Sequence, residues 1–172
     1  MNKNTYILIL FSLIIVPTAS AMAFDHSQFD QILQAYVDDQ GLVDYNAIAK
    51  DRRFQNYMEH LKTAGTDEMT SNGRLAFWIN AYNAVTIDKV IKWKPKKSVR
   101  ETAIPGLWTS TKFFTSREHM VAGKQMSQDD IEHRILRKEL KDPRIHFAIV
   151  SVSYTHLRAH ETGRHISYAV FC

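Results

Sequence analysis

Two asparagines stand in the most apolar stretch of the chain. In Trp78-Ile79-Asn80-Ala81-Tyr82-Asn83-Ala84, Asn80 and Asn83 are three residues apart, which makes them neighbours on nearly one face of a helix. Ala84 follows Asn80 by four positions and leaves room beside its amide. Asparagine is a mediocre helix former, and burying its amide unbonded costs free energy. Two of them among aromatic and aliphatic neighbours therefore need a role. As structural braces they would bond the backbone of the turn-rich segment around Pro105 to Trp108. As functional groups they would line a pocket with Trp78, orienting a histidine or offering amide donors to a developing oxyanion.

Glu132-His133 and His146 are the other candidates. Adjacent residues share a helix face poorly, so Glu132 is a poor orienter for His133, though it can pair elsewhere across the core. His133 is read either as a ligand or general base or as a surface or capping group. His146 lies in Ile145-His-Phe-Ala-Ile-Val150, which reads as a strand. There it shares a face with Arg144, as a satisfied core histidine or as part of a site. No His-Glu-x-x-His zinc signature, phosphate-cradling glycine loop or Gly-x-Ser-x-Gly elbow is present. The sequence thus indicates no metal, names no cofactor and leaves open whether the chain is an enzyme.

The elements that must position these residues are mainly helical. Phe29, Ile32, Leu33, Tyr36 and Val37 recur at helical spacing, with Asp25 or Ser27 as the N-cap and Gly41 beyond the end. Gly41 to Tyr45 reads as a turn into a short extended piece. A second helix is expected over residues 47–64, ended by Gly65, and Ser71-Asn72-Gly73 punctuates the chain. The third helix, residues 74–92, carries a stripe of Leu75, Trp78, Ile79, Tyr82, Val85, Thr86 and Val90, broad enough to imply burial on most sides. Pro95 opens a loop, and Phe113-Phe114 is expected to begin a strand. Met120 to Met126 reads as a hairpin with Gly123 in its turn. Ser127 and Asp130 then start a helix whose buried side is Ile131, Ile135 and Leu140. Together these give an α+β class: one helix-rich domain with a few short strands.

The N-terminus has Lys3 followed by an eleven-residue apolar run, Tyr6 to Val16, then Ala19-Ser-Ala21 and Ala21-Met-Ala23. This is the pattern of a cleaved secretory signal over residues 1–23. The run is shorter than the roughly 20 residues a helix needs to cross a bilayer. A periplasmic or secreted bacterial product without a membrane span after cleavage is expected. The last residues differ in character. Residues 151–172 hold His156, His160, His165 and the only cysteine, Cys172, a set that imitates a metal cluster. Yet Val152 to Thr162 matches a forward translation of the transposase adapter used in sequencing libraries, and Ile166 to Cys172 matches the adjoining flow-cell adapter. The tail is therefore expected to be non-native, with the domain itself at 24–150.

That body of about 127 residues suits one core. Leaving out Lys3, Arg158, Arg164 and Glu161, it holds 19 basic against 17 acidic residues, a formal charge of +2 instead of +4 for the whole chain. Such a balance argues against nucleic acid as partner. Lys89, Lys92, Lys94, Lys96, Lys97 and Arg100 form a local basic run, read as a solvated helix end and loop. A small molecule or peptide is the expected partner; nothing indicates the oligomeric state.

Gly41-Leu-Val-Asp-Tyr45, the run Leu75 to Ile87, Val121-Ala-Gly123, Ser127 to His133 and Asp142-Pro-Arg-Ile-His-Phe-Ala148 together resemble the DUF547 family, a domain of unknown function. The resemblance covers about Tyr36 to Val150. In that family the DPRIHFA segment continues into a stretch of the kind Cys-Ala-Ser-x-Ser-Cys-Pro, and Ser151 stands where its first cysteine is expected. The polar residues set in apolar elements and the family's cysteine segment leave two functions open for a complete member. One is binding of a ligand or partner in a groove lined by Trp78, Asn80, Asn83 and His146. The other is cysteine-dependent hydrolysis or transfer, with a thiol beside His146 or His133.

Overall fold

A single long helix sets the arrangement of everything else. The computed structural model describes residues 23–39, 41–94 and 112–149, without the side chains of His146 and Phe147. Its elements in chain order are α1 (Ser27–Tyr36), α2 (Tyr45–Lys50), α3 (Arg52–Thr63), α4 (Ser71–Trp93), α5 (Lys112–Thr115), β1 (His119–Val121), β2 (Lys124–Met126), a π-wound helix π1 (Asp130–Leu140) and α6 (Ile145–Ala148). Helices α1, α2 and α3 pack together, with α2 and α3 also against α4; π1 packs against α4 as well. The class is α+β, helix-rich with one two-stranded antiparallel sheet. The segment around Pro105 to Trp108 and the tail 151–172 lie outside the described residues.

Helix α4 starts one turn earlier than its apolar stripe. Thr70 Oγ1 accepts the Gly73 N–H at 3.0 Å, so Ser71-Asn72-Gly73 forms the first turn instead of a break. From Leu75 to Ile87 every residue is buried. The expected second helix is two helices, because Asp51 intervenes. Its N–H donates to Ile48 O, closing α2. Its Oδ1 then accepts the Arg53 N–H at 2.8 Å, opening α3, and its Oδ2 takes the Tyr36 hydroxyl at 2.9 Å. The Arg53 guanidinium holds this carboxyl well below the usual range. One residue thus joins the ends of three helices.

An aromatic group ties the start of α1 into the core. Phe29 stacks on Tyr57 at 4.9 Å, and Phe24 meets Phe77 edge-on at 5.1 Å. His26, the residue before α1, hydrogen-bonds the Tyr57 hydroxyl through Nδ1 at 2.8 Å. Burial pushes its pKa down to about 4, so the ring is neutral at ordinary pH. Neither Asp25 nor Ser27 caps α1 through its side chain in the usual sense. Asp25 Oδ1 instead accepts the Ser27 N–H at 2.8 Å.

Two expected strands are helices. Phe113-Phe114 belongs to α5, and Phe113 is wholly buried against Trp93 and Phe114. Ile145–Ala148 forms α6, which removes the alternation argument that set His146 beside Arg144. In both places an apolar run too short to show its period was read with the wrong one. The segment after Ser127 holds a second surprise. Ser127 and Asp130 cap each other reciprocally, the Asp130 N–H to Ser127 Oγ at 3.0 Å and the Ser127 N–H to Asp130 Oδ2 at 3.1 Å. Beyond them the helix winds i→i+5, closing with the Lys141 N–H on Leu136 O.

The apolar spacing explains that winding. At about 100° per residue, Ile131, Ile135, Leu136 and Leu140 would spread over about half the helix circumference. At the roughly 80° per residue of i→i+5 winding they converge within roughly 80°. Only then does one face bury Ile131, Ile135 and Leu136 together, with Leu140 partly covered. Packing against α4 outweighs the poorer helix geometry.

The hairpin β1–β2 has the expected place and a two-residue turn. Val121 pairs with Lys124, and Ala122 and Gly123 have φ of 48° and 73°, the left-handed pair of a type I′ turn. The turn also caps α3: the Ala122 and Gly123 N–H groups donate to Leu61 O and Lys62 O at 2.9 and 2.7 Å. A Cβ on Gly123 would meet nothing within 4 Å, so only backbone strain opposes a side chain there. Gly123→Ala is expected to cost about 1 kcal/mol and lower Tm by a few degrees. The same variant should speed hydrogen exchange at the Ala122 and Gly123 amides; unchanged stability and exchange would refute the capping role.

Candidate functional site

The asparagine face of α4 meets the end of α6. Asn80 and Asn83 are buried, and Asn83 Nδ2 donates to Ala148 O at 3.1 Å. Asn83 is thus a brace of α6; the segment near Pro105, its other expected partner, lies outside the described residues. Asn80 is different. Its Nδ2 is buried and has no hydrogen-bond partner among the described residues. An unsatisfied buried donor costs about 1–3 kcal/mol. Trp78, also buried, packs edge-on against Phe77 within the core, on the side of α4 away from the asparagines.

The polar groups continue one step along the helix. Thr86, three residues after Asn83, donates its hydroxyl to Tyr82 O at 2.8 Å and accepts from Gln128 Nε2 at 3.3 Å. Gln128 is wholly buried, and its Oε1 has no partner among the described residues. A buried polar line therefore runs Asn80, Asn83, Thr86, Gln128, with an unfilled donor at one end and an unfilled acceptor at the other.

Glu132 and His133 separate. Glu132 faces inward, accepting the Tyr82 hydroxyl at 3.3 Å and the Arg137 guanidinium at 2.6 Å. Burial, reinforced by Glu132, pushes the Tyr82 phenol far above its ordinary value, so it stays a donor. The i→i+5 winding brings Arg137 beside Glu132, and it turns His133 outward. Its side chain is 56% exposed, with Asp129 3.4 Å from Nε2. The structure does not bring His133 together with Asn80. His146 lies in α6, two residues before the carbonyl that Asn83 holds, and its side chain is outside the described residues. Among the described residues there is no group of three metal-binding side chains.

The family profile described as a protein of unknown function, DUF547, matches residues 66–161. The chain belongs to the DUF547 family. No curated protein and no solved structure matches it. The matched residues of this DUF547 chain include α4, the hairpin, π1 and α6, and so the whole polar line.

Two polar clusters on α4 escaped the sequence reading. Asp88 accepts from His119 Nε2 and from Lys92 Nζ, both at 2.6 Å. Burial works against its charge, but the His119 and Lys92 hydrogen bonds win and hold it below its ordinary value. Lys89 corrects the picture of a solvated basic run: it is wholly buried. Its Nζ bonds Phe113 O, and Ser116 O and Oγ at 3.1 and 2.8 Å. The signal was present in the spacing. Trp78, Tyr82, Val85 and Lys89 follow i, i+4, i+7, i+11, so Lys89 continues an apolar row.

The two asparagines should respond oppositely to Asn→Leu substitution. Asn83→Leu strips the Ala148 carbonyl of its donor and should lose about 1–3 kcal/mol in denaturant unfolding. Asn80→Leu removes an unfilled donor at similar volume and should be neutral or stabilising. Equal losses at both positions would contradict the assignment.

Proposed function

We propose that this DUF547 chain is an exported domain that binds a small amide-bearing or peptide ligand along the polar face of α4. The unfilled Asn80 Nδ2 is the observation that carries the reading. Proteins rarely leave a buried donor unbonded, so one that persists calls for a water, an ion or a ligand to meet it. The unfilled Gln128 Oε1 narrows the chemistry. A donor and an acceptor at the two ends of one buried line complement an amide, which offers one carbonyl and one N–H. Asn80 and Thr86 are six residues apart, about 9 Å along the axis, which is the reach of two or three extended residues.

The thiol-dependent alternative gains no support from the described residues. His133 faces outward, and Ser151, where that cysteine is expected, lies outside them. Export rests on the apolar run Tyr6 to Val16 and the small-residue sites behind it. Phe24, directly after the second site, already packs against Tyr57 and Phe77, so cleavage there spares the core. Among the described residues no helix is long and apolar enough to cross a membrane.

The binding reading is tested with N-acetyl dipeptide amides in a thermal-shift and calorimetric series. At least one should raise Tm of the wild-type chain, and Asn80→Leu should abolish that shift without lowering the ligand-free Tm. Undiminished binding by Asn80→Leu, or no shift with any dipeptide, would remove the reading. For export, N-terminal sequencing of the chain from the periplasm of a bacterial host should begin at Met22 or Phe24; an intact Met1 would refute it.

A further inference from the structure

Lys89 is on the opposite side of α4 from Asn80, roughly 180° around the axis nine residues later, and the binding proposal leaves it unused. A buried ammonium costs several kcal/mol. Three hydrogen bonds and the faces of Trp93 and Phe113, at 5.8 and 5.5 Å, offset part of that cost. The bonds fit the neutral amine equally well. An NH2 group has two hydrogens and one lone pair. The carbonyls of Phe113 and Ser116 accept the two hydrogens, and the lone pair is left facing Ser116 Oγ at 2.8 Å.

We propose that Ser116 and Lys89 form a serine–lysine dyad, with Ser116 Oγ as nucleophile and Lys89 Nζ as its general base, acting on carboxylic esters with an apolar acyl group. A nucleophile and a buried base within hydrogen-bond reach are the minimum that acyl transfer needs. Ser116 is half-buried while Lys89 is wholly covered, so of the two residues the serine is the one nearer solvent. The aromatic side chains of Trp93 and Phe114, both partly buried around Phe113, supply the apolar wall.

The step balances without a cofactor. Lys89 Nζ takes the Ser116 hydroxyl proton as Oγ bonds the ester carbonyl carbon. The tetrahedral adduct then expels the alkoxide, which leaves as alcohol with the proton from Lys89. Water repeats the sequence on the acyl-serine: Lys89 takes its proton, the carboxylic acid departs, and the proton returns to Ser116 Oγ. Burial pushes the Lys89 pKa down to about 8, against the opposing pull of Glu118, so a large part of the amine is free base in mildly alkaline solution. In the protonated state the third N–H points to Ser116 Oγ.

The test uses the whole mature chain, a fluorophosphonate probe and p-nitrophenyl butyrate. The expected result is a phosphonyl adduct mapped to Ser116, with a labelling rate that rises with pH and levels off above about 8. Ser116→Ala keeps the carbonyl that Lys89 holds and should abolish both labelling and esterase activity in a folded chain. Lys89→Arg keeps a cation but cannot give up its proton, and should slow both by about a hundredfold or more. If Lys89→Arg does not fold, the wild-type pH profile still reads the base. No adduct at Ser116, a flat profile over this range, or a folded Lys89→Arg at the wild-type rate would overturn the dyad and leave Lys89 as a structural tie for α5.

Discussion

Everything else in this domain depends on the burial of α4. A helix covered on most of its sides cannot send polar side chains to water, so each one has to find its partner on a neighbouring element. Asn83 reaches α6, Tyr82 reaches Glu132 of π1, Thr86 meets Gln128 just before π1, Asp88 holds His119 of β1, and Lys89 holds the end of α5. Hydrophobic burial is non-directional and brings these elements to α4 without fixing their register. The polar bonds are directional and set it. Removing one partner leaves the other buried and unsatisfied, which is why such pegs are costly to break.

The same demand shapes elements that do not touch the polar line. The i→i+5 winding of π1 lets four apolar side chains share one face against α4, and it decides that Glu132 turns in while His133 turns out. At the other end of the sheet, the hairpin turn supplies two N–H groups to the terminal carbonyls of α3. Positive φ at Ala122 and Gly123 is the cost of that cap, and glycine takes the half of it that has no penalty. Arg117 adds a bidentate grip on Asp130, tying the segment before β1 to the capping residue of π1.

Exceptions to full satisfaction are where function is to be sought. Most buried polar groups of α4 are paired by the fold. Among the described residues Asn80 Nδ2 has no partner, nor has Oε1 of Gln128, whose Nε2 bonds Thr86. The buried amine of Lys89 is held by Phe113 O, Ser116 O and Ser116 Oγ. Both features lie on the helix that the core surrounds, so their geometry is held by the packing.

Much of this was legible in the residues. The α+β class, the long buried helix, the hairpin at Gly123 and the Ser127–Asp130 cap all follow from local chemistry: a sustained apolar stripe, a turn glycine and a reciprocal capping pair; the DUF547 resemblance rests on its motifs. Short apolar runs were not legible. Phe113-Phe114 and Ile145 to Ala148 carry too few residues to show a period, and their contacts, not their propensities, make them helical. The π winding was equally hidden, since it is chosen by the face of α4 it must cover. So was the burial of Lys89. Its spacing placed it on an apolar row, but its charge suggested solvent, and only the carbonyls of Phe113 and Ser116 arriving from a distant segment make the inside habitable. The sequence by itself determined which helix would be the core and which polar residues it would carry inward. Tertiary structure decided what each of those residues meets, because hydrogen-bond partners are set by the packing of elements far apart in the chain.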